Sequence, residues 1–222
     1  MIPPQADAEF VCAMEDVLEV YHRDFDPDRP VVCLDESSKQ LVGEVAQPLP
    51  VAPGQPQRFD YEYERKGTVN LFLVTEPMVG QRWVKVTDRR TALDFAEVIR
   101  ELVDERYPRA KKVVLVMDNL NTHKPASLYE AFAPKEARRL VEKLEIHYTP
   151  KHGSWLNIAE IEFSVLNGQC LNRRLADKAT AQKEVAAWQQ RRNGACGTVD
   201  WQFSTKDARI KLKRLYPSIQ NG

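Results

Sequence analysis

The sequence predicts an α/β protein in which helices cover both faces of a mixed β-sheet. Short apolar runs, typical of strands buried on both faces, occupy residues 31–34 and 112–117. Between them, apolar and polar residues alternate at 58–63, 69–75 and 83–86, which predicts antiparallel strands. In the second half of the chain, helical periods alternate with strands, and this order is typical of parallel pairing.

The elements of the first half follow from hydrophobic spacing and from chain-breaking residues. Phe10, Met14 and Leu18 recur at the four-residue spacing of one helix face. Residues 65–68 contain a glycine and separate two alternating runs, which predicts a hairpin turn. The predicted elements are a helix at 6–22, a strand at 31–34, an extended Pro-rich loop at 46–56, hairpin strands at 58–63 and 69–75, and a strand at 83–86.

The elements of the second half alternate between helix and strand. Thr91 is a suitable N-cap for the first of these helices, and Pro108 lies beyond its end. The predicted elements are helices at 91–107, 127–142, 155–175, 180–192 and 205–216, and strands at 112–117 and 144–148. We expect residues 1–30 to form an N-terminal helix and linker, 31–192 a core, and 193–222 a basic tail helix that packs on the core as part of one domain.

Length and composition indicate a globular protein. With 222 residues, 43% of them hydrophobic, the chain can bury a substantial core. No apolar run reaches the roughly 18 residues needed to span a bilayer, and the N-terminus lacks a signal-peptide pattern. The cysteines have no C-x-x-C spacing, so neither a disulfide framework nor a zinc site is expected, and Cys33 is predicted to be a buried thiol. A reducing cytoplasm is the expected location.

The charges are unevenly distributed along the chain although their formal sum is zero. Residues 163–222 hold 11 of the 32 Lys and Arg side chains but only 4 of the 32 Asp and Glu side chains. That part therefore carries a net charge of +7, and residues 1–162 carry −7. This asymmetry is expected when one surface binds metal and another binds phosphate. A merely solvated helix face is the alternative interpretation of the basic part.

Three carboxylates stand where an α/β sheet concentrates its chemistry. Asp35 and Asp118 each follow an apolar strand, and Glu160 lies one turn into a predicted helix, on a face that Glu162 cannot share. Grouped carboxylates repel one another, and a divalent cation with hard oxygen ligands removes that repulsion. Two such ions can activate a water and stabilise the leaving oxygen of a phosphodiester. Taken singly, each acid has an ordinary alternative as a turn former, a helix cap or a solvated helix residue.

Three segments of the sequence resemble the signature blocks of DDE transposases, and the mariner-like insertion-sequence transposases of bacteria are the most similar branch. The segments are LDE at 34–36, VMDNLNTH at 116–123 and YTPKHGSWLNIAE at 148–160. In that family the first two blocks are apolar strands ending in Asp-Glu and Asp-Asn, and the third leads into Leu-Asn-Pro-Ile-Glu at a helix start. Two departures are that Ile158-Ala159 replaces Pro-Ile, and that Asp118 and Glu160 are unusually far apart.

The resemblance implies a ribonuclease-H-like fold, a mixed five-stranded sheet flanked by helices, with 31–192 as the catalytic core. It implies that Asp35, Asp118 and Glu160 are catalytic and bind two Mg²⁺ or Mn²⁺ ions. Family members cut DNA at transposon ends and join the 3′-hydroxyl to target DNA, so double-stranded DNA, a second copy of the chain and association with the nucleoid are expected. Relatives begin with a helix-turn-helix region that reads the transposon ends, and that region is expected to be missing here.

Further residues are predicted to support the site or to contact DNA. Asn119 and His123 either steady a metal ligand by a hydrogen bond or satisfy loop backbone. Lys151 and His152 precede a helix start and are predicted phosphate contacts. Trp155 either stacks on a base or packs in the core, and packing is favoured. The basic residues expected to contact the DNA backbone are Arg173, Arg174, Arg191, Arg192, Lys211 and Lys213, with Lys206, Arg209 and Arg214 as further candidates.

Two other functions are compatible with parts of the sequence. A truncated transposase could dimerise with a full-length relative and act as a non-enzymatic repressor or decoy. The missing DNA-reading region favours that interpretation, whereas the complete set of three acids disfavours it. A phosphatase with an aspartyl nucleophile usually has a second Asp two residues after the first, and Ser37 stands at that position.

Overall fold

The fold is built on one five-stranded sheet, seen in a computed structural model that describes residues 5–45 and 62–217. The strands are β1 (Val31–Glu44), β2 (Tyr63–Glu76), β3 (Gln81–Thr87), β4 (Val113–Met117) and β5 (Leu144–Tyr148). Their order across the sheet is β3-β2-β1-β4-β5. Pairing is antiparallel among β1, β2 and β3 and parallel among β1, β4 and β5, which confirms the mixed, ribonuclease-H-like sheet.

Seven α-helices accompany the sheet in the described part of the chain. They are α1 (Ala8–Tyr21), α2 (Ala92–Glu101), α3 (Pro125–Ala131), α4 (Pro134–Lys143), α5 (Ile158–Leu166), α6 (Lys178–Gly194) and α7 (Thr205–Lys211). Among the residues described, none of the helices combines the length and hydropathy required to cross a bilayer.

Helices cover both faces of the sheet because successive strand residues point to opposite sides. Cys33, Leu71 and Val116 face a core completed by α1, α5 and α6. Leu34 and Met117 face a second core, completed by α2, α3 and α4. The two buried apolar runs of the sequence therefore supply side chains to both cores, as the sequence predicts.

Strand β1 is much longer than predicted and does not end at Asp35. Its parallel pairing with β4 stops after Cys33, opposite Val116, whereas its antiparallel pairing with β2 continues to Glu44. Asp35 therefore lies inside a strand, two residues beyond the last residue paired with β4. The prediction that Asp35 follows the strand was wrong because β2 keeps the backbone extended after the apolar run has ended.

The predicted hairpin with its turn at 65–68 was also wrong. Residues from Tyr63 onward form the single strand β2, and its partner is β1. Gly67 has φ +97° inside the strand, and the pairing shifts its register there, between Gln40 and Val42 of β1. The glycine therefore accommodates a bulge and not a turn. The predicted loop at 46–56 and the first residues of the predicted strand at 58–63 lie outside the described residues.

Two long helices predicted from the sequence are interrupted. The helix predicted at 127–142 is divided into α3 and α4, because Pro134 favours an extended residue before it and Ala133 is extended. The helix predicted at 155–175 starts as a 3-10 turn at Ser154–Leu156, restarts after Asn157, and ends in a π-helical turn at Asn167–Leu171. The break between the 3-10 turn and α5 leaves Asn157 free to cap α5.

The first and last helices pack on the same core. Met14 of α1 and Ala208 of α7 are both fully buried in it, and the Asp7 N–H donates to the Leu215 carbonyl at 2.9 Å. The tail helix is shorter than predicted, since α7 ends at Lys211 and a 3-10 turn follows it at 213–215.

Candidate active site

Asp35, Asp118 and Glu160 line one open cavity of about 560 Å³. Asp35 lies on β1, Asp118 is the first residue after β4, and Glu160 lies in the first turn of α5. The other lining residues are Asn119, Leu120, Thr149, Pro150, Lys151, His152, Ser154 and Asn157. The three acids singled out by the sequence thus meet at one place.

The parallel register of β1 and β4 brings the two aspartates together. Cys33 pairs with Val116 as the last parallel pair, and each aspartate stands two positions after one of these residues. Asp35 and Asp118 therefore occupy equivalent positions where the two strands separate. This separation is the position at which open α/β sheets bind ligands.

Asn157 brings the third acid to the cavity by capping α5 against β1. Its side chain accepts from the Ala159 N–H at 3.1 Å and donates to the Leu34 carbonyl at 3.1 Å, and the residue is only 2% exposed. Tyr21 of α1 donates its hydroxyl proton to the Leu156 carbonyl at 2.6 Å, just before the cap. This role of Asn157 was not predicted from the sequence, although an Asn immediately before a helix is a recognisable cap signal.

The two glutamates of α5 have opposite environments. Glu160 is exposed and lines the cavity, whereas Glu162 is 3% exposed. The Glu162 Oε1 atom lies 3.1 Å from Nε of Arg82 and 2.9 Å from Nε of Arg192. Residues two apart on a helix point in different directions, so only Glu160 faces the site.

The negative charge of the cavity is poorly compensated. Within the described residues, neither Asp35 nor Glu160 forms a salt bridge. Burial raises the pKa of Asp35 to about 7; the nearby charges of Asp118 and Glu160 act in the same direction, while a hydrogen bond from the Glu36 N–H lowers it. A cation between these carboxylates would offset their mutual repulsion and favour the ionised form of Asp35.

His123, in the loop after β4, is fully buried between two carboxylates. Its Nδ1 lies 2.5 Å from Oδ1 of Asp118, and its Nε2 lies 3.4 Å from Oε2 of Glu36. Burial lowers the pKa of His123, but the hydrogen bond with Asp118, the contact with Glu36 and the charges of both carboxylates outweigh burial and raise the pKa to about 9. His123 therefore contacts the second acid directly, as a supporting residue would. Asn119 lines the cavity beside it.

Lys151 and His152 form the rim of the cavity, in a tight turn. His152 has φ +67°, and a Cβ on Gly153 would lie 2.5 Å from Cγ of Pro150. The turn therefore requires glycine at 153. Lys151 and His152 are exposed and lie beside the acids, which places two basic side chains where a phosphate would approach.

The other predicted DNA-binding residues fall into two groups, and none of them lines the cavity. Three arginines are engaged by glutamates: Arg173 by Glu184, Arg174 by Glu44 and Arg192 by Glu162. Over the described ranges, three others are exposed without a salt bridge: Arg191, Lys211 and Lys213. Arg209 of the further candidates pairs with Glu15. Several basic residues of the C-terminal part are therefore already paired with carboxylates of the chain.

Trp155 packs against the protein core. Its ring meets that of Phe203 edge to face at 5.9 Å between centroids, and it contacts the core that includes α1 and α5. This agrees with the favoured interpretation of the sequence, in which Trp155 is a packing residue.

The donor set of the cavity fits a divalent metal ion. Its acids offer the hard oxygen ligands that Mg²⁺ and Mn²⁺ prefer, and their charges are unbalanced. Among the described residues, no three His, Cys, Asp or Glu side chains are already grouped tightly enough to share one ion. The three acids would therefore have to close in on the ion.

The mixed five-stranded sheet, with two acids just beyond the parallel pairing of β1 with β4, is typical of the class of ribonuclease-H-like proteins. Within that class the match is specific: residues 30–182 match the model of the DDE superfamily endonucleases, and the chain belongs to this family. No curated protein sequence gives a significant match.

Solved structures with this fold include those of the mariner transposase Mos1. The Mos1 paired end complex with Mn has a TM-score of 0.57 and 16% identity over 86% of this chain and 58% of that chain. The complex with Mg has a TM-score of 0.57 and 14% identity over 98% and 66%. The Mos1 catalytic domain alone has a TM-score of 0.55 and 13% identity over 89% and 96%. The chain thus has the fold of a transposase catalytic domain and spans about 58% of the Mos1 chain in the first complex.

Proposed function

We propose that this chain is a metal-dependent DNA endonuclease and strand transferase that cuts transposon ends and joins the freed 3′-hydroxyl to target DNA. The observation that carries the proposal is the meeting of Asp35, Asp118 and Glu160 in one cavity, where the nearby charges of Asp118 and Glu160 oppose the ionisation of Asp35. Family membership supports the endonuclease class. A complete set of acids gives no support to a silent repressor.

Asp35, Asp118 and Glu160 would hold two Mg²⁺ or Mn²⁺ ions in this proposal. When bound, the ions supply an activated water or hydroxyl nucleophile and neutralise charge on the phosphodiester. The Mos1 complexes are described with Mn and with Mg, which supports this choice of ions. Asn157 keeps Glu160 at the cavity by capping α5, and it thereby joins that acid to the strand that bears Asp35.

Lys151 and His152 would contact the phosphate next to the scissile bond. Both are exposed at the cavity rim, where a cationic side chain stabilises the charge of a phosphodiester. Arg191, Lys211 and Lys213 would bind more distant phosphates, since they are exposed and basic. The substrate is therefore double-stranded DNA held through its backbone. Because the Mos1 structures are paired end complexes, we also propose that two copies of this chain act together on two DNA ends.

DNA cleavage by the purified chain tests the proposal. Plain duplex DNA should be nicked with Mg²⁺ or Mn²⁺, and nicking should cease with EDTA or in the Asp118→Ala variant. Asp24→Ala is a matched control, since Asp24 is exposed and lies outside the cavity. Folded protein that binds Mn²⁺ at Asp118 but nicks no DNA would contradict the endonuclease function of the isolated chain.

A further inference from the structure

Glu36 directly follows the candidate metal ligand Asp35, but its side chain is not placed to bind a metal ion in the cavity. Its carboxylate does not line the cavity, and its side chain is only 4% exposed. Oε2 of Glu36 lies 3.4 Å from Nε2 of His123, at ion-pair distance, and over the described residues both atoms are buried without a hydrogen-bond partner. The other oxygen, Oε1, lies 3.3 Å from the guanidinium of Arg90. The buried carboxylate of Glu36 therefore contacts the imidazole of His123 with one oxygen and the guanidinium of Arg90 with the other.

The imidazole connects Glu36 to the second acid. Nδ1 of His123 lies 2.5 Å from Oδ1 of Asp118, on the opposite side of the ring from Glu36. The ring is also confined by Phe95, whose centroid lies 4.8 Å away, and Tyr148 donates to the His123 carbonyl at 2.9 Å. The ring is thus held on its edges by the two carboxylates and on its face by an aromatic side chain.

We infer that Glu36 is a positioning residue: through the ring of His123 it fixes the Asp118 carboxylate in the orientation that faces the cavity. This inference rests on the proposed function, because it concerns the acid that would bind the metal. The pairing of β1 with β4 ends two residues before the aspartates and that of β4 with β5 ends at Met117, so strand pairing does not reach Asp118 itself. The link Glu36–His123–Asp118 replaces the missing strand pairing with a side-chain connection from one strand to the next.

The link has a direct consequence for ligand binding. A hydrogen bond to one oxygen of a metal-binding carboxylate leaves the other oxygen oriented, and losing such a partner typically lowers metal affinity by about 10–100-fold. Glu36 also carries a negative charge near the cavity and could strengthen cation binding by charge alone. The two explanations differ in whether the effect of Glu36 passes through His123.

A double-mutant cycle in the full chain separates them, with Mn²⁺ binding measured by calorimetry as the readout. The variants are Glu36→Gln, His123→Asn and the double variant, and urea unfolding in EDTA verifies that each is folded. We expect Glu36→Gln to weaken Mn²⁺ binding about tenfold or more in the native background and to have almost no effect in the His123→Asn background. Glu76→Gln is the matched control, since Glu76 is a buried carboxylate bonded to Tyr107 outside the cavity.

Arg90→Gln provides a second variant that leaves the fold intact, because the Arg90 side chain is 54% exposed and holds only Glu36. It should weaken Mn²⁺ binding less than Glu36→Gln does, and again only when His123 is present. Equal Mn²⁺ affinity in native and Glu36→Gln protein would overturn the inference, and so would a loss that persists undiminished without His123. If native protein and Asp118→Ala bind Mn²⁺ equally weakly, the proposed metal site itself is wrong, and this result differs from both others.

Discussion

Glu160 and Glu162 stand two positions apart on one helix, and they show how the same side chain serves two purposes. Glu162 is enclosed by Arg82 and Arg192, and its charge is balanced on the spot. Glu160 faces Asp35 and Asp118 across an open cavity. A buried charge needs partners in the protein, whereas like charges brought together with too few partners are costly and favour a ligand. One side of α5 therefore bears the candidate metal ligand, and the other side is linked to Arg82 and Arg192.

The largest expected effect comes from removing Arg82, which contacts Glu162 of α5. Arg82 is 1% exposed, and its guanidinium donates to the carbonyls of Gly80, Arg192 and Gly197 in addition to facing Glu162. Replacing it by Ala leaves buried acceptors unsatisfied, and we expect the free energy of unfolding in urea to fall by about 3–5 kcal/mol.

A matched comparison sharpens this prediction. Arg138 pairs with Glu142 on the surface of α4, so Arg138→Ala should change the unfolding midpoint far less. If the two substitutions prove equally mild, the buried cluster does not anchor α5.

In the cavity, by contrast, replacing a charged residue is expected to increase the free energy of unfolding. Because the pKa of Asp35 is raised to about 7 in the folded protein, its ionisation opposes folding above the ordinary pKa near 4. Without metal, Asp35→Asn should therefore be more stable than the native chain by about 1–3 kcal/mol at pH 8, and the difference should shrink as the pH falls from 7 to 4. Urea unfolding in EDTA across this pH range measures it.

His123 has the opposite effect on the pH dependence of stability, and it is present in both the native and the Asp35→Asn protein. Its raised pKa, about 9, stabilises the fold below pH 6.5, and this contribution is lost as the pH rises through 9. The difference between native and Asp35→Asn protein reports the aspartate together with its electrostatic interaction with His123. A difference that does not depend on pH would show that burial and the neighbouring carboxylates do not oppose the ionisation of Asp35.

The smallest expected effect concerns the basic surface, where the same contrast between balanced and unbalanced charge applies. Lys213 is exposed and forms no salt bridge in the part of the chain that the structure describes, whereas Arg173 is paired with Glu184. Lys213→Gln should reduce the slope of log DNA affinity against log salt concentration by about one, and Arg173→Gln by less. Fluorescence anisotropy with a labelled duplex at several salt concentrations tests this, and equal slopes for both variants would reject the distinction.

The three acids could be singled out from the sequence because they occur together in three segments that resemble family blocks, although each acid alone is a weak signal. Apolar runs precede Asp35 and Asp118, and a helix pattern surrounds Glu160. The succession of strands and helices along the chain followed from the change in hydrophobic period. What could not be predicted depended on distant partners. Asp35 lies inside β1 only because β2 continues to pair with that strand, and no property of residues 35–44 alone shows this.

Side-chain partnerships were even less accessible to the sequence. Nothing in the sequence indicates that Arg192 pairs with Glu162 and not with DNA, since a basic residue on a helix looks the same in both cases. The interaction of Glu36 with His123 joins residues far apart in the chain. The division of the helix predicted at 127–142, by contrast, follows from Pro134, and that signal was present.

The register that brings Asp35 next to Asp118 also determines when, during folding, the two aspartates meet. Antiparallel β1, β2 and β3 are consecutive in sequence, whereas the parallel pairing of β1 with β4 spans most of a domain and closes a long loop. Neighbouring strands can associate early during folding, but the two aspartates meet only when the distant pairing forms. In a chain whose β1 and β4 have not yet paired, the two aspartates are therefore apart, and the cavity that they line is complete only in the finished fold.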